Sequence, residues 1–186
     1  MTKSIVDEII ENFKKHGYLE YGERVNLEEH MLQTAVFAEE DGADDLMVAA
    51  AVLHDYGHFI HGLDDDIADH GVDGLHEEVG ADYLEAYFVP EVTEPIRLHV
   101  PAKRYLCAVK EGYLETLSPA SVLSLEVQGG VYSQAEVKAF EAHPHYERAV
   151  QLRLYDDAGK VPEMKTPPIE YYRSFIEKAL RKDLNA

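Results

Sequence analysis

The chain of 186 residues carries 17 Lys and Arg against 36 Asp and Glu, a formal charge of −19. That balance argues against nucleic acid and anionic membrane surfaces as partners. The length suits one full core, so a single domain over 1–186 is expected. The one cysteine, Cys107, excludes an internal disulfide and fits a reducing cytoplasm. No apolar run approaches the ~18 residues of a membrane span. The amino end (Thr2, Lys3, Ser4, Asp7, Glu8) lacks the layout of a signal peptide, so a cytoplasmic location is expected.

Ile5, Ile9, Ile10 and Phe13 give a first helix, roughly Ser4 to His16, an apolar stripe, and Gly17 stops it. Asn26 reads as the N-cap of a second helix, Leu27 to Glu40, with Glu28 and Glu29 in its first turn. Asp44 or Asp45 opens a third, apolar on all sides, that runs to Tyr56 before Gly57 breaks it. Residues 60–73 carry the longest loop signal. A fourth helix spans about Leu75 to Phe88. Pro95 is placed to start a short helix, Ile96 to Val100, and Pro101 to open the next. Ser118-Pro119 is another start signal. Ser133-Gln134-Ala135-Glu136 is a capping box. Helices over Tyr146 to Tyr155 and Glu170 to Leu184 complete the pattern. No alternating segment of strand type is evident, so the expected fold class is all-α.

The stretch Leu53-His54-Asp55-Tyr56-Gly57-His58 holds the chemistry. A His-Asp pair at the end of a buried helix costs roughly 2–7 kcal/mol per unpartnered polar group, and a bound metal is the usual compensation. Further ligand types fall on predicted helices or at their ends: His30, His76, His99 and Asp156. Imidazoles with carboxylates suit iron, manganese or zinc. An isolated histidine is ordinarily a core or surface residue; six ligand-type residues in order, the His-Asp pair among them, favour a metal site.

This order resembles the HD-domain superfamily, with the two extra histidines of its dinuclear branch. The resemblance implies a helical bundle with a dinuclear site in its core. It puts His30, His54 and Asp156 around one metal, His76 and His99 on the other, and Asp55 between them. Other segments narrow it: Glu29-His30-Met31-Leu32-Gln33, His76-Glu77-Glu78-Val79-Gly80-Ala81-Asp82-Tyr83-Leu84, His99-Val100-Pro101-Ala102-Lys103-Arg104-Tyr105-Leu106, Leu117-Ser118-Pro119-Ala120-Ser121 and Gln128-Gly129-Gly130. Together they are similar to the mixed-valent diiron oxygenases that cleave phosphonates. That resemblance implies two iron ions, Fe(II)/Fe(III), a 1-hydroxyalkylphosphonate substrate, and O2 as co-substrate. Carboxylic acid and phosphate would be the products.

Carried over residue by residue, the phosphonate contacts would be His58, Lys103, Ser121 and Gln128. His58 and Lys103 each lie one helical turn beyond a proposed ligand. Without the metal context, Lys103 would be a solvated lysine, Ser121 a helix-start hydroxyl and Gln128 a turn residue. The loop before His30 departs from the family. Its relatives read Tyr-x-Gly-Glu, with a Gln three residues before the metal histidine; this chain reads Glu20-Tyr21-Gly22-Glu23, with Leu27 in place of the Gln. Glu23 aligns and would meet a cationic substrate nitrogen, favouring an amino or trimethylammonio group. Tyr21, shifted by one, could still serve as the gating iron ligand; otherwise that ligand is absent here. The ligand pattern alone also fits a metal-dependent phosphohydrolase or a non-catalytic metal-binding protein.

Overall fold

The computed structural model describes residues 4–20, 24–60 and 74–185. Among them every regular element is helical. The helices are α1 (Ile5–His16), α2 (Leu27–Glu40), α3 (Asp45–Leu53), α4 (Gly57–Ile60), α5 (His76–Leu84), α6 (Pro90–Val109), α7 (Tyr113–Thr116), α8 (Pro119–Val127), α9 (Gln134–Glu141), α10 (Tyr146–Ala158) and α11 (Arg173–Lys178). Single 3-10 turns cover Ile169–Tyr172 and Lys182–Asn185. Extended pairing among the described residues is limited to two isolated bridges, Glu20 with Asn26 and Phe88 with Leu180.

Local chemistry sets the starts of the helices. Ser4, Asn26, Asp44, Ser118 and Ser133 each accept a hydrogen bond from a first-turn amide. Asn26 and Ser133 form reciprocal boxes with Glu29 and Glu136. Each such cap stabilises by about 0.5–2 kcal/mol. Helix α3 is buried on every side from Met47 to Leu53, as its lack of a polar face requires. It lies within a frame of α2, α6 and α10, while α5 packs along α6. Phe13, Leu27, Met31, Leu84, Ile96 and Leu152 fill the core around it.

Four expectations need correction. Pro95 and Pro101 do not open separate helices; both sit inside the continuous α6. Each proline removes an amide donor and crowds the preceding turn, at a local cost of about 3 kcal/mol. Packing of α6 against α10, α5 and α3 outweighs it. The fourth helix stops at Leu84, not Phe88, because the next residues pair with the far end of the chain: the Val89 amide donates to Ala179 and the Arg181 amide to Tyr87. That same pairing draws Leu180 and Arg181 out of the last helix, which shrinks to α11. The third helix ends at Leu53, so His54, Asp55 and Tyr56 form a turn and α4 begins at Gly57.

Gly57 permits a close join between α4 and α5. A Cβ there would lie 1.9 Å from the His76 carbonyl oxygen, and one on Gly80 would lie 2.9 Å from the Gly57 nitrogen. Two glycines thus bring the helices together backbone to backbone, and with them His58 and His76.

Candidate active site

Five segments deliver the ligand-type side chains. His30 comes from the first turn of α2, His54 and Asp55 from the turn after α3, His76 from the start of α5, His99 from the middle of α6, and Asp156 from the last turn of α10. All are buried except His76, whose side chain is 13 % exposed. Two groups form. His30, His54 and Asp156 converge on one point, and Asp55, His76 and His99 on another.

Asp55 joins the two. Its Oδ2 lies 3.4 Å from Nε2 of both His30 and His54. Its Oδ1 lies 3.3 Å from His76 Nε2 and 3.4 Å from His99 Nε2. Asp156 Oδ1 is 3.4 Å from His30 Nε2. The Nε2 atoms of His30 and His54 are 3.0 Å apart, and those of His76 and His99 are 3.2 Å apart.

The tautomers explain why such a cluster suits cations. His30 Nδ1 faces the Gly159 carbonyl at 2.8 Å, His54 Nδ1 that of Ala51 at 2.9 Å, and His99 Nδ1 that of Ile96 at 2.7 Å. His76 Nδ1 faces the Glu77 carboxylate at 3.5 Å. In the neutral rings of His30, His54 and His99 the proton therefore sits on Nδ1, leaving an Nε2 lone pair pointing inward, and the Glu77 charge favours the same tautomer of His76. Four lone pairs then meet two buried carboxylates: the Asp55 oxygens have no hydrogen-bond partner among the described residues, and those of Asp156 are met by ion pairs with Arg153 and Lys160 outside hydrogen-bond geometry. Left alone, such an array repels itself. Donors at about 2.0–2.2 Å from an ion, set at right angles, lie about 3 Å apart, close to the separations found here. The residues present fit two metal ions.

The titration of these groups reflects the same crowding. Burial alone would raise the Asp55 carboxyl, but His54, His30 and His76 overcome it and hold it well below the carboxylate range. Burial is likewise overcome at Asp156, first by Arg153 and then by Lys160, His54 and His30. Burial pushes the His99 ring down, whereas at His54 burial is overcome by Asp55, Asp156 and the Ala51 carbonyl together, and at His76 by Asp55 with Glu77, so both move up.

Beside the metal cluster lies a polar wall. Lys103 is buried, and burial, with Arg153 beside it, lowers its pKa to about 7. Its ammonium donates to Ser124 Oγ at 2.7 Å, and that hydroxyl donates to the Ser121 carbonyl. Ser121 Oγ accepts from Lys160 Nζ at 2.9 Å, and Lys160 Nζ stands 3.9 Å from Asp156 Oδ1. Lys103, Ser121 and Asp156 thus belong to one connected array. Gln128 caps α8 at its carboxyl end, and its Oε1 is buried without a hydrogen bond among the described residues. Amide rotation can present a donor at the same point. His58 stacks on His76, ring centroids 4.3 Å apart at 18°. A cleft of about 290 Å³ lies next to this wall, lined by Arg24, Thr116, Ser118, Asp157, Lys160 and Pro162. Tyr21 and Glu23 lie outside the described residues, as does the loop over 61–73.

Three residues escaped the sequence reading: Ser124, Arg153 and Lys160. Arg153 and Lys160 sit three before and four after Asp156, the spacing at which helical side chains meet, and that spacing was their available signal. His143 and His145 lie between α9 and α10, away from the cluster, and His143 stands 3.4 Å from Glu94. Burial raises the Cys107 thiol, which leaves it a poor nucleophile.

Residues 27–125 match the HD domain family. Over 177 residues the chain is 43% identical to a hydroxymethylphosphonate dioxygenase of Gimesia maris, covering 94% of this chain and 88% of that one. Over 184 residues it is 40% identical to a (1-hydroxy-2-(trimethylamino)ethyl)phosphonate dioxygenase (glycine-betaine-forming) of Leisingera caerulea, covering 98% and 94%. With its paired His/Asp groups and this similarity over nearly its whole length, the chain belongs to the HD-domain family, in the branch of the phosphonate dioxygenases.

Proposed function

We propose that this protein is an iron-dependent dioxygenase that cleaves the carbon–phosphorus bond of a 1-hydroxyalkylphosphonate. The observation that carries the reading is the division of the Asp55 carboxylate, one oxygen toward His30 and His54, the other toward His76 and His99. A single carboxylate shared in this way suits a coupled pair of ions. We assign His30, His54 and Asp156 to one iron, His76 and His99 to the other, and Asp55 to both. The whole of 1–186 is taken as one domain, and the single cysteine fits a cytoplasmic location.

When bound, an Fe(II)/Fe(III) pair supplies the activation of O2 and the electron transfers. The rest falls to side chains. Lys103, His58, Ser121 and Gln128 are proposed to hold the phosphonate, with Lys103 as the point charge that a dianion requires in an acidic protein. A bound dianion draws Lys103 back to its charged form. Glu23 is proposed to receive a cationic nitrogen on C2, and Tyr21 to serve as a displaceable ligand. The His76 side offers the accessible approach, because the other ligand side chains are sealed.

The reaction balances without an external reductant. The C–H and C–P bonds at C1 break, carbon is oxidised to the carboxylic acid level, and both atoms of O2 enter the products, acid and phosphate. The experiment supplies the purified protein with ferrous iron and a panel of 1-hydroxyphosphonates differing at C2. Release of phosphate that depends on O2 is expected, fastest with an amino or trimethylammonio substituent. Phosphate release from a phosphoester without O2 would replace this reading with hydrolysis.

A further inference from the structure

Arg153 is a buried arginine on α10 that meets two acidic side chains and one phenol. Its Nη1 lies 2.8 Å from Asp156 Oδ2. Its Nη2 pairs with Asp157 Oδ1, and its Nε donates to the Tyr113 hydroxyl at 3.3 Å. The Tyr113 hydroxyl in turn donates to Asp157 Oδ2. The guanidinium is therefore fixed from two sides, by α10 itself and by α7. Its planar fork lets one guanidinium reach both carboxylates, by a hydrogen bond to Asp157 and an ion pair with Asp156.

The consequence falls on Asp156. Its two oxygens have different neighbours: Oδ2 faces Arg153, whereas Oδ1 faces His30 Nε2 at 3.4 Å. We propose that Arg153 is a positioning residue for the first metal site. It pairs with the outer oxygen of Asp156 and so leaves Oδ1 turned toward His30 and the first site. Resting on the assignment of Asp156 as a metal ligand, this gives that assignment a further part. The second site has no such cation on its ligands among the described contacts; Glu77 faces His76 there instead.

The test is an anaerobic titration of the full metal-free chain with Fe(II) alone, read as ions bound and their affinities, with melting temperatures of the metal-free proteins alongside. Wild type is expected to take two ions. Arg153→Met should bind one as wild type does and the other about 10- to 100-fold more weakly, the usual effect of losing a partner behind a ligand. In a His99→Ala background, where only the first site is left, the same substitution should weaken the ion that remains. Arg153→Lys, which keeps the charge without the fork, should fall between. Tyr113→Phe removes a partner of Arg153 without touching Asp156; it should lower the melting temperature and leave both affinities unchanged. Unaltered affinities in Arg153→Met would overturn the proposal. So would equal weakening of both ions, because a purely structural arginine would act on the whole cluster. Should Arg153→Met fail to fold, Arg153→Lys decides on the same criterion. A wild type that binds fewer than two ions would instead overturn the dinuclear assignment, so the two failures are separable.

Discussion

The two halves of the metal cluster are built differently. In the first, His30, His54 and Asp156 are sealed inside the frame of α2, α3 and α10, both imidazoles are pinned to main-chain carbonyls, and Arg153 and Lys160 flank the carboxylate. In the second, His76 is partly exposed, stacks on His58 and faces a carboxylate. It comes directly after Leu75, which has a left-handed backbone (φ 48°). The contrast is one of closure: one half is a sealed, pre-organised socket, and the other is reached by solvent at His76.

The comparison breaks most completely at the residue the halves share. Asp55→Ala should abolish activity and remove tight binding of both ions, since each loses a ligand; direct metal analysis would read this, and retained occupancy by two ions would refute the bridge. His99→Ala should empty the second half alone and leave one tightly held ion. Next in size is Lys103→Met. Removing a charge paired with a buried dianion costs about 2–5 kcal/mol, which should appear as a loss in kcat/KM with metal content unchanged.

Gly57→Ala tests the second half through its packing. The added methyl meets the His76 carbonyl oxygen at 1.9 Å, an overpacking that costs about 1–3 kcal/mol. Denaturant unfolding should show that loss, and the ion at the second site should weaken more than the first. A smaller effect is expected of Glu77→Gln, which keeps the shape beside His76 Nδ1 but removes the charge. It should weaken the second ion only, and by less than Arg153→Met weakens the first.

Lys103 adds a pH dependence. Its pKa in the folded protein is about 7, below its ordinary value of 10.5. The unfolded chain keeps a proton that the folded chain has shed, so stability of the metal-free protein rises between these values, and the penalty is fully present below pH 7. Thermal melts of metal-free Lys103→Met should therefore exceed wild type at about pH 6 and lose that advantage near about pH 10. For catalysis the sign is opposite, because the charged form binds the phosphonate. A fall in kcat/KM as pH rises through about 7 is expected in wild type, and it should be missing in Lys103→Met.

The sequence disclosed local features best. The caps at Asn26 and Ser133 arise from side chains reaching their own first turns, so spacing alone locates them. The order His30, His54-Asp55, His76, His99, Asp156 was equally legible, because few other roles place such residues in apolar helices. Pro95 and Pro101 misled for the opposite reason: a local breaking signal was overridden by the packing of α6 against its neighbours, which the chain does not display locally. Ser124 was invisible until α8 lay against α6, since a serine near a helix end has many uses. Arg153 and Lys160 carried a weak signal in their spacing from Asp156, but what they touch depends on α7 and α8.

Oxidative cleavage of a C–P bond by a protein-bound iron pair leaves its plainest trace in stoichiometry. Iron-loaded protein is given a 1-hydroxyphosphonate under labelled O2, with no reductant present. The expected result is one O2 consumed for each phosphate released, with label entering the products. Phosphate released at an undiminished rate without O2, or with no label in either product, would contradict the claim.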